Sequence, residues 1–205
     1  MRIAVVIYDG FDELDAVGPY EVFQNAARGG ADAQVDLVTL EPAERVTASH
    51  GLVVEPQGEL DGSYDLVVVP GGGWNDRAAS GAFAEAERGK LPSALADLHE
   101  GGAAVASVCT GGMLLSAAGL TRGRPATTHH SALEELASAG AEIVDARVVD
   151  DGDLVTSGGV TSGIDMALWL VEREWGKAMS DAIAGEMEHE RRGPVWRQGR
   201  QTGAE

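Results

Sequence analysis

The 205-residue chain carries one cysteine, Cys109, so it has no internal disulfide to lean on. A lone thiol of this kind is expected in a reducing compartment, the cytoplasm. Basic residues are also scarce: 15 Lys and Arg face 33 Asp and Glu, for a net charge of −18. Polyanion binding draws most of its affinity from Lys and Arg on phosphates, so nucleic acid is excluded as the expected partner. The densest basic group, Arg191, Arg192, Arg197 and Arg200, lies in a polar stretch rather than along a stripe. No apolar run reaches the roughly 18 residues of a membrane span, so no membrane partner is expected. Ile3–Ile7 follows Met1-Arg2 directly and is too short for a signal peptide, with no small-residue cleavage site after it. It reads as a first strand.

What is present fits one domain of about 100–200 residues, expected over residues 1–190, with a polar and disordered tail over 191–205. Short β-branched runs alternate with helical patterns. Strands are expected at Ile3–Tyr8, Gln34–Leu40, Asp65–Pro70 and Ala103–Val108, each nearly apolar throughout, as in a parallel sheet covered on both faces. Helices are expected at Pro19–Arg28, Phe83–His99 (broken near Gly89 and Pro92), Thr110–Ala118 and Ser162–Trp175, with another running to Glu188. Arg45–Ser49 with Leu52–Glu55, and Arg147–Val149 with Leu154–Ser157, read as antiparallel hairpins. The alternation describes a doubly wound α/β fold with a mostly parallel sheet between helices.

Such sheets place ligands beyond the carboxyl ends of their strands, and three strand ends carry chemistry. In Ser107-Val108-Cys109-Thr110-Gly111 a buried strand stops at the cysteine and a helix begins. That is the layout of a nucleophile elbow, and a helix start beside the sulfur favours its thiolate. The bland alternative is an inert buried cysteine. After the first strand, Asp15 precedes Gly18-Pro19. A carboxyl held against a thiolate has a raised pKa and can donate a proton, although a loop Asp is often only a cap. After the third strand, Pro70-Gly71-Gly72-Gly73-Trp74 offers backbone N–H groups at close range, with Gly72 and Gly73 as candidate oxyanion donors. No Gly-Lys-Ser/Thr follows, and no Gly-x-Gly-x-x-Gly follows the first strand, so neither a phosphate loop nor a dinucleotide cofactor is expected. His129 and His130 are neighbours in an extended segment and should point to opposite faces, without the ligand spacing of a metal site. One of them, His129, is a candidate for binding or orienting substrate. His50, His99 and His189 read as surface residues.

Leu14-Asp15-x-x-Gly18-Pro19, Pro70-Gly71-Gly72-Gly73, Ser107-Val108-Cys109-Thr110-Gly111 and Ala126-Thr127-Thr128-His129, in that order, resemble the DJ-1/PfpI superfamily, which is related to class I glutamine amidotransferase domains. The resemblance spans about residues 1–190. It implies a flavodoxin-like sandwich, a homodimer, no cofactor and no metal. It also implies Cys109 as nucleophile, Asp15 as the neighbouring acid, Thr110 as a further active-site residue, and Gly72 and Gly73 as backbone donors. Within the family the chain is most similar to isonitrile hydratases and to the ligand domains of some transcription regulators, whose DNA-binding domain is not expected here. PfpI-like peptidases carry His where this chain has Thr110, and the DJ-1-like branch carries Glu where it has Asp15. The expected activity is therefore cysteine-dependent hydration of a small isonitrile to a formamide. The alternatives are glutathione-independent, glyoxalase-like hydration of an α-oxoaldehyde, or a non-catalytic sensor that binds a ligand or records oxidation at Cys109.

Overall fold

The computed structural model describes residues 1–197. In chain order its strands are β1 (Arg2–Val6), β2 (Gln34–Thr39), β3 (Val46–Thr47), β4 (Val53–Val54), β5 (Gly58–Glu59), β6 (Leu66–Val69), β7 (Ala104–Ser107), β8 (Pro125–Ala126), β9 (Glu142–Ile143), β10 (Val148–Asp150), β11 (Leu154–Ser157) and β12 (Trp196–Arg197). Its helices are α1 (Glu13–Arg28), α2 (Ala82–Arg88), α3 (Lys90–Glu100), α4 (Gly111–Ala117), α5 (Leu133–Ser138), α6 (Ser162–Trp175) and α7 (Lys177–Glu186), with a 3₁₀ turn over His130–Ala132 before α5. Eight strands form one sheet in the order β12-β10-β11-β7-β6-β1-β2-β5. All neighbours in it pair in parallel except β10 with β11. The fold is the expected flavodoxin-like α/β sandwich.

The physical reason is the apolar character of the central strands. Alternation of polar with apolar residues is absent there: Ile3 to Val6, Leu66 to Val69 and Val105 to Ser107 are all buried, so both faces must be covered. Helices α1 and α6 do this on one side through close contact. A Cβ on Gly18 would come within 3.1 Å of Ile164, and one on Gly163 would meet Val108 at 2.9 Å and Pro19 at 3.3 Å. Gly18 thus sets how near α1 approaches α6, and Gly163 sets how near α6 approaches Val108 before the cysteine.

Three expectations shift. Helix α1 starts at Glu13, capped by the Asp12 side chain, and runs through Pro19 instead of beginning there. Asp15 therefore stands in a helical first turn, not in a loop. The sequence offers Trp74 with the Pro19–Phe23 segment as an exposed apolar dimer contact, but Pro19, Val22, Phe23 and Trp74 are buried. The expected tail falls partly outside the described residues. Its opening stretch is engaged, with Arg191 paired to Glu172 and Trp196–Arg197 aligned beside β10. Both hairpins form, as β3–β4 and β10–β11. Among the described residues no helix is long and apolar enough to cross a membrane.

Candidate active site

The carboxyl ends of β1, β6, β7 and β11 meet around Cys109. Leaving β7, the chain turns sharply: Val108 N–H donates to the Val69 carbonyl at 3.0 Å, and Cys109 N–H donates to that of Gly158 at 3.0 Å. Cys109 itself has φ +56, a conformation uncommon for non-glycine residues and typical of strained functional positions. Thr128 Oγ1 pins the turn by donating to the Cys109 carbonyl at 2.7 Å. Only small neighbours fit. A Cβ on Gly111 would lie 2.1 Å from the Val69 carbonyl oxygen, and one on Gly71 would lie 2.5 Å from Thr110 N.

Asp15 reaches the same point from α1. It is fully buried, and its Oδ2 accepts the Gly71 N–H at 2.9 Å. Its Oδ1 is buried without a hydrogen-bond partner among the described residues. A buried oxygen of this kind is costly as a bare anion. Burial first, then the Asp12 carboxylate, raises the Asp15 pKa to about 7, while the Gly71 N–H and the Cys109 thiol beside it pull the other way.

The sulfur departs from the sequence expectation. Cys109 is only 7% exposed, and its thiol is pushed up to about 12, chiefly by burial and then by the Asp15 charge. Hydrogen bonds from the Thr110 and Val160 N–H groups favour the thiolate but do not overcome those two effects. The start of α4 thus works against burial at the sulfur, and burial is the larger effect.

The glycine run is also used internally. Gly72 N–H donates to Thr110 Oγ1 at 3.0 Å, which ties the loop after β6 to the elbow and leaves the Thr110 hydroxyl hydrogen to donate elsewhere. Gly73 follows with φ +64. Tyr8 supports the loop from beneath by donating its hydroxyl hydrogen to the Pro70 carbonyl.

His129 lies at the rim, on the far side of Gly159; a Cβ on that glycine would touch the imidazole at 2.4 Å. His129, Thr128, Gly159, Val160 and Arg147 line a cavity of about 570 Å³. The two adjacent histidines do not point to opposite faces: their ring centroids are 4.2 Å apart. His130 opens the 3₁₀ turn, so the alternation of an extended strand no longer governs it. Of the other histidines, His50 is exposed but ion-paired to Glu13 at 2.6 Å. His99 and His189 are partly buried, the latter against Asp165 at 2.9 Å.

Asp12, Glu13 and His50 bring three possible metal-ligand atoms within 4.8 Å of one another. In this structure those groups serve another purpose. Glu13 Oε1 accepts the His50 N–H at 2.7 Å, Glu13 Oε2 faces His50 Nδ1 and Ser49 Oγ, and Asp12 caps Leu14.

The sequence reading did not single out Val160. This β-branched residue has φ +43, a clear outlier, and its N–H favours the thiolate of Cys109. A signal was available, because Gly158-Gly159 follows β11 just as glycines follow β6, and strand ends are where site residues collect.

Comparison with known proteins agrees with this geometry. Residues 1–173 match the DJ-1/PfpI family. The chain is 35% identical to the isonitrile hydratase of Pseudomonas putida, over 92% of this chain and 78% of that protein. It is 29% identical to the Parkinson disease protein 7 homolog of Danio rerio, over 89% of this chain and 94% of that one. Among solved structures, a ThiJ/PfpI family protein from Pseudomonas syringae superposes with a TM-score of 0.82 at 29% identity, over 94% of this chain and 76% of that one. An elbow cysteine against a buried acid from the first helix, on this sheet order and with these relatives, places the chain in the DJ-1/PfpI family.

Proposed function

We propose that the protein hydrates a small isonitrile to an N-substituted formamide, with Cys109 as nucleophile and Asp15 as the proton carrier. The observation that carries this reading is the buried pair itself, an elbow thiol beside a carboxyl that has one N–H partner and an unpartnered Oδ1 among the described residues; burial raises the pKa of both. Such a pair suits a substrate that takes up a thiol and a proton together. The isonitrile hydratase relative supports the choice of substrate class.

In the first step Cys109 Sγ bonds to the terminal isonitrile carbon. The thiol proton passes by way of Asp15 to that same carbon, giving an S-linked thioimidate. Water then attacks the carbon, and the proton that Asp15 takes from it is relayed to the substrate nitrogen, leaving the hydroxyl hydrogen on the adduct. Collapse of the tetrahedral adduct breaks the C–S bond, returns the proton to Cys109 and releases the formamide. The sum is isonitrile plus water, with no redox change. Splitting one slow addition into two steps is the usual gain from a covalent intermediate. The Thr110 hydroxyl and the N–H groups of Gly73 and Val160 are the donors for the substrate nitrogen and the developing charge. Gly72 joins them only by exchanging its Thr110 partner. No cofactor enters the reaction.

Incubation with a simple alkyl isonitrile, with Cys109→Ala in parallel, tests the reading. Formamide is expected from the wild type alone, and its absence there sinks the idea. Methylglyoxal, offered without glutathione in the same assay, tests the glyoxalase-like alternative through lactate.

We also infer that the enzyme is a homodimer. The exposed apolar side chains of Leu14, Leu52 and Val53 sit at the start of α1 and on the hairpin docked against it, a more suitable contact than the buried Trp74. Light scattering on Leu52→Lys with Val53→Lys should show a shift toward monomer; an unchanged dimer would move the interface elsewhere.

A further inference from the structure

We propose that Asn75 and Ser131 act together as a tautomer lock on His129, so that the cavity lined by His129, Thr128 and Val160 presents an imidazole N–H to an acceptor atom of its ligand. The donors and acceptors are fixed by their chemistry. Ser131 N–H, which can only donate, points at His129 Nδ1 at 3.3 Å, so that nitrogen accepts. Ser131 Oγ lies 2.6 Å from the same nitrogen, and Asn75 Nδ2 donates to Ser131 Oγ at 2.7 Å. Because Nδ1 already accepts from the Ser131 N–H and carries no hydrogen, the short Oγ contact is the hydroxyl donating to it, while Asn75 donates to the oxygen. Two donors on Nδ1 leave the imidazole proton on Nε2.

The edge bearing Nε2 and Cδ2 lies over Gly159, whose missing side chain gives it room. Both residues line the 570 Å³ cavity with Thr128 and Val160. Charged or titratable groups around the ring are His130, tilted by 39° with its centroid at 4.2 Å, Arg147 and Asp145 along the cavity wall, and Asp12. Arg147 is balanced by Asp165, with its NH2 at 2.6 Å. Burial and His130 lower the His129 pKa, consistent with a neutral ring. The ligand class is a small molecule whose end carries a carbonyl, ether or formamide oxygen. Asn75 and Ser131 are positioning residues that touch it only through His129.

The lock stands on hydrogen-bond geometry, and only its use on substrate rests on the proposed isonitrile chemistry. Long-range ¹H–¹⁵N correlation on the full-length protein reads the tautomer directly. The wild type should show a pyridine-type Nδ1 and a pyrrole-type Nε2 at neutral pH. Ser131→Ala, which keeps the backbone N–H but loses the hydroxyl donor, should move both nitrogens part of the way toward averaged values and raise the His129 pKa. Ser131→Thr, which keeps the hydroxyl, should restore the wild-type pattern, and the exposed Asn75→Ala gives a smaller shift in the same sense. With an active isonitrile substrate, Ser131→Ala should raise KM about fivefold, the worth of one neutral hydrogen bond, with kcat nearly unchanged. A wild-type proton on Nδ1 overturns the proposal, as do Ser131→Ala and Asn75→Ala spectra identical to wild type. An intact lock without isonitrile turnover would support the lock and reject the substrate.

Discussion

Glu13 and Asp15 stand two residues apart on the first turn of α1, and the two sides of that turn treat a carboxylate in opposite ways. On the outer side Glu13 meets the β3–β4 hairpin. Hydrogen bonds from the His50 side chain, its own N–H and the backbone N–H groups of His50 and Leu52 outweigh its partial burial and hold it down at about 2. On the inner side Asp15 has a single N–H partner and an orphan oxygen, and burial carries it up to about 7. A carboxylate supplied with donors is fastened as an anion and belongs to the structure. A carboxylate deprived of them can hold a proton near neutral pH and is available for chemistry. The helix start contributes similarly to both, so the difference comes from what packs against each side chain.

The strongest way to break this contrast is Asp15→Asn. General acid–base catalysis is worth on the order of 10²–10⁴-fold, and a loss of that size in kcat/KM is expected for isonitrile hydration. Asn also removes a charge that raises the thiol, so alkylation of Cys109 by iodoacetamide should reach a given rate at lower pH. A variant with wild-type turnover would remove Asp15 from the reaction.

The pH profile is the next test. If the protonated carboxyl is required, wild-type kcat/KM should decline as pH rises through about 7, and this limb should be missing from whatever activity Asp15→Asn retains.

Stability sharpens the comparison because the signs are opposite. The folded pKa of Asp15 is raised, so its favourable contribution is full below the ordinary Asp value and is lost as pH rises through about 7. Asp15→Asn should therefore be more stable than wild type at about pH 8, on the order of 2 kcal/mol, and should lose that advantage in acid. The folded pKa of Glu13 is lowered, so its contribution is present above the ordinary Glu value and is lost as pH falls through about 2. Glu13→Gln should cost about 1 kcal/mol at neutral pH and converge with wild type in strong acid. Thermal denaturation at several pH values checks both. Turnover should change least of all in Glu13→Gln, since its clamp touches the hairpin and not the sulfur.

Much of the fold was legible because buried parallel strands write themselves as continuous apolar runs. β2, β6 and β7 lie inside the expected segments, β1 begins one residue before its own, and both hairpins were marked by their turns. The start of α1 was misplaced because Pro19 resembles a first-turn proline, whereas tertiary packing against Gly163 and Ile164 holds it inside the helix. The stretch at 191–197 was hidden by its polar composition; its ion pair and its place beside β10 depend on residues far away in sequence.

At the site, the sequence alone determined where Cys109 stands. A strand that stops at a cysteine and is followed by Thr-Gly-Gly has one economical way to continue, and the glycines at 71 and 111 are required by contacts shorter than any side chain permits. It also singled out Asp15 as the partner acid. Only the tertiary structure decided the protonation of that pair, because desolvation depends on everything that surrounds a group and not on its neighbours in the chain. Burial raises the thiol's pKa against the pull of the elbow's N–H groups. The same packing brings in Val160, Ser131 and Asn75, whose roles rest on spatial juxtapositions that no local pattern records.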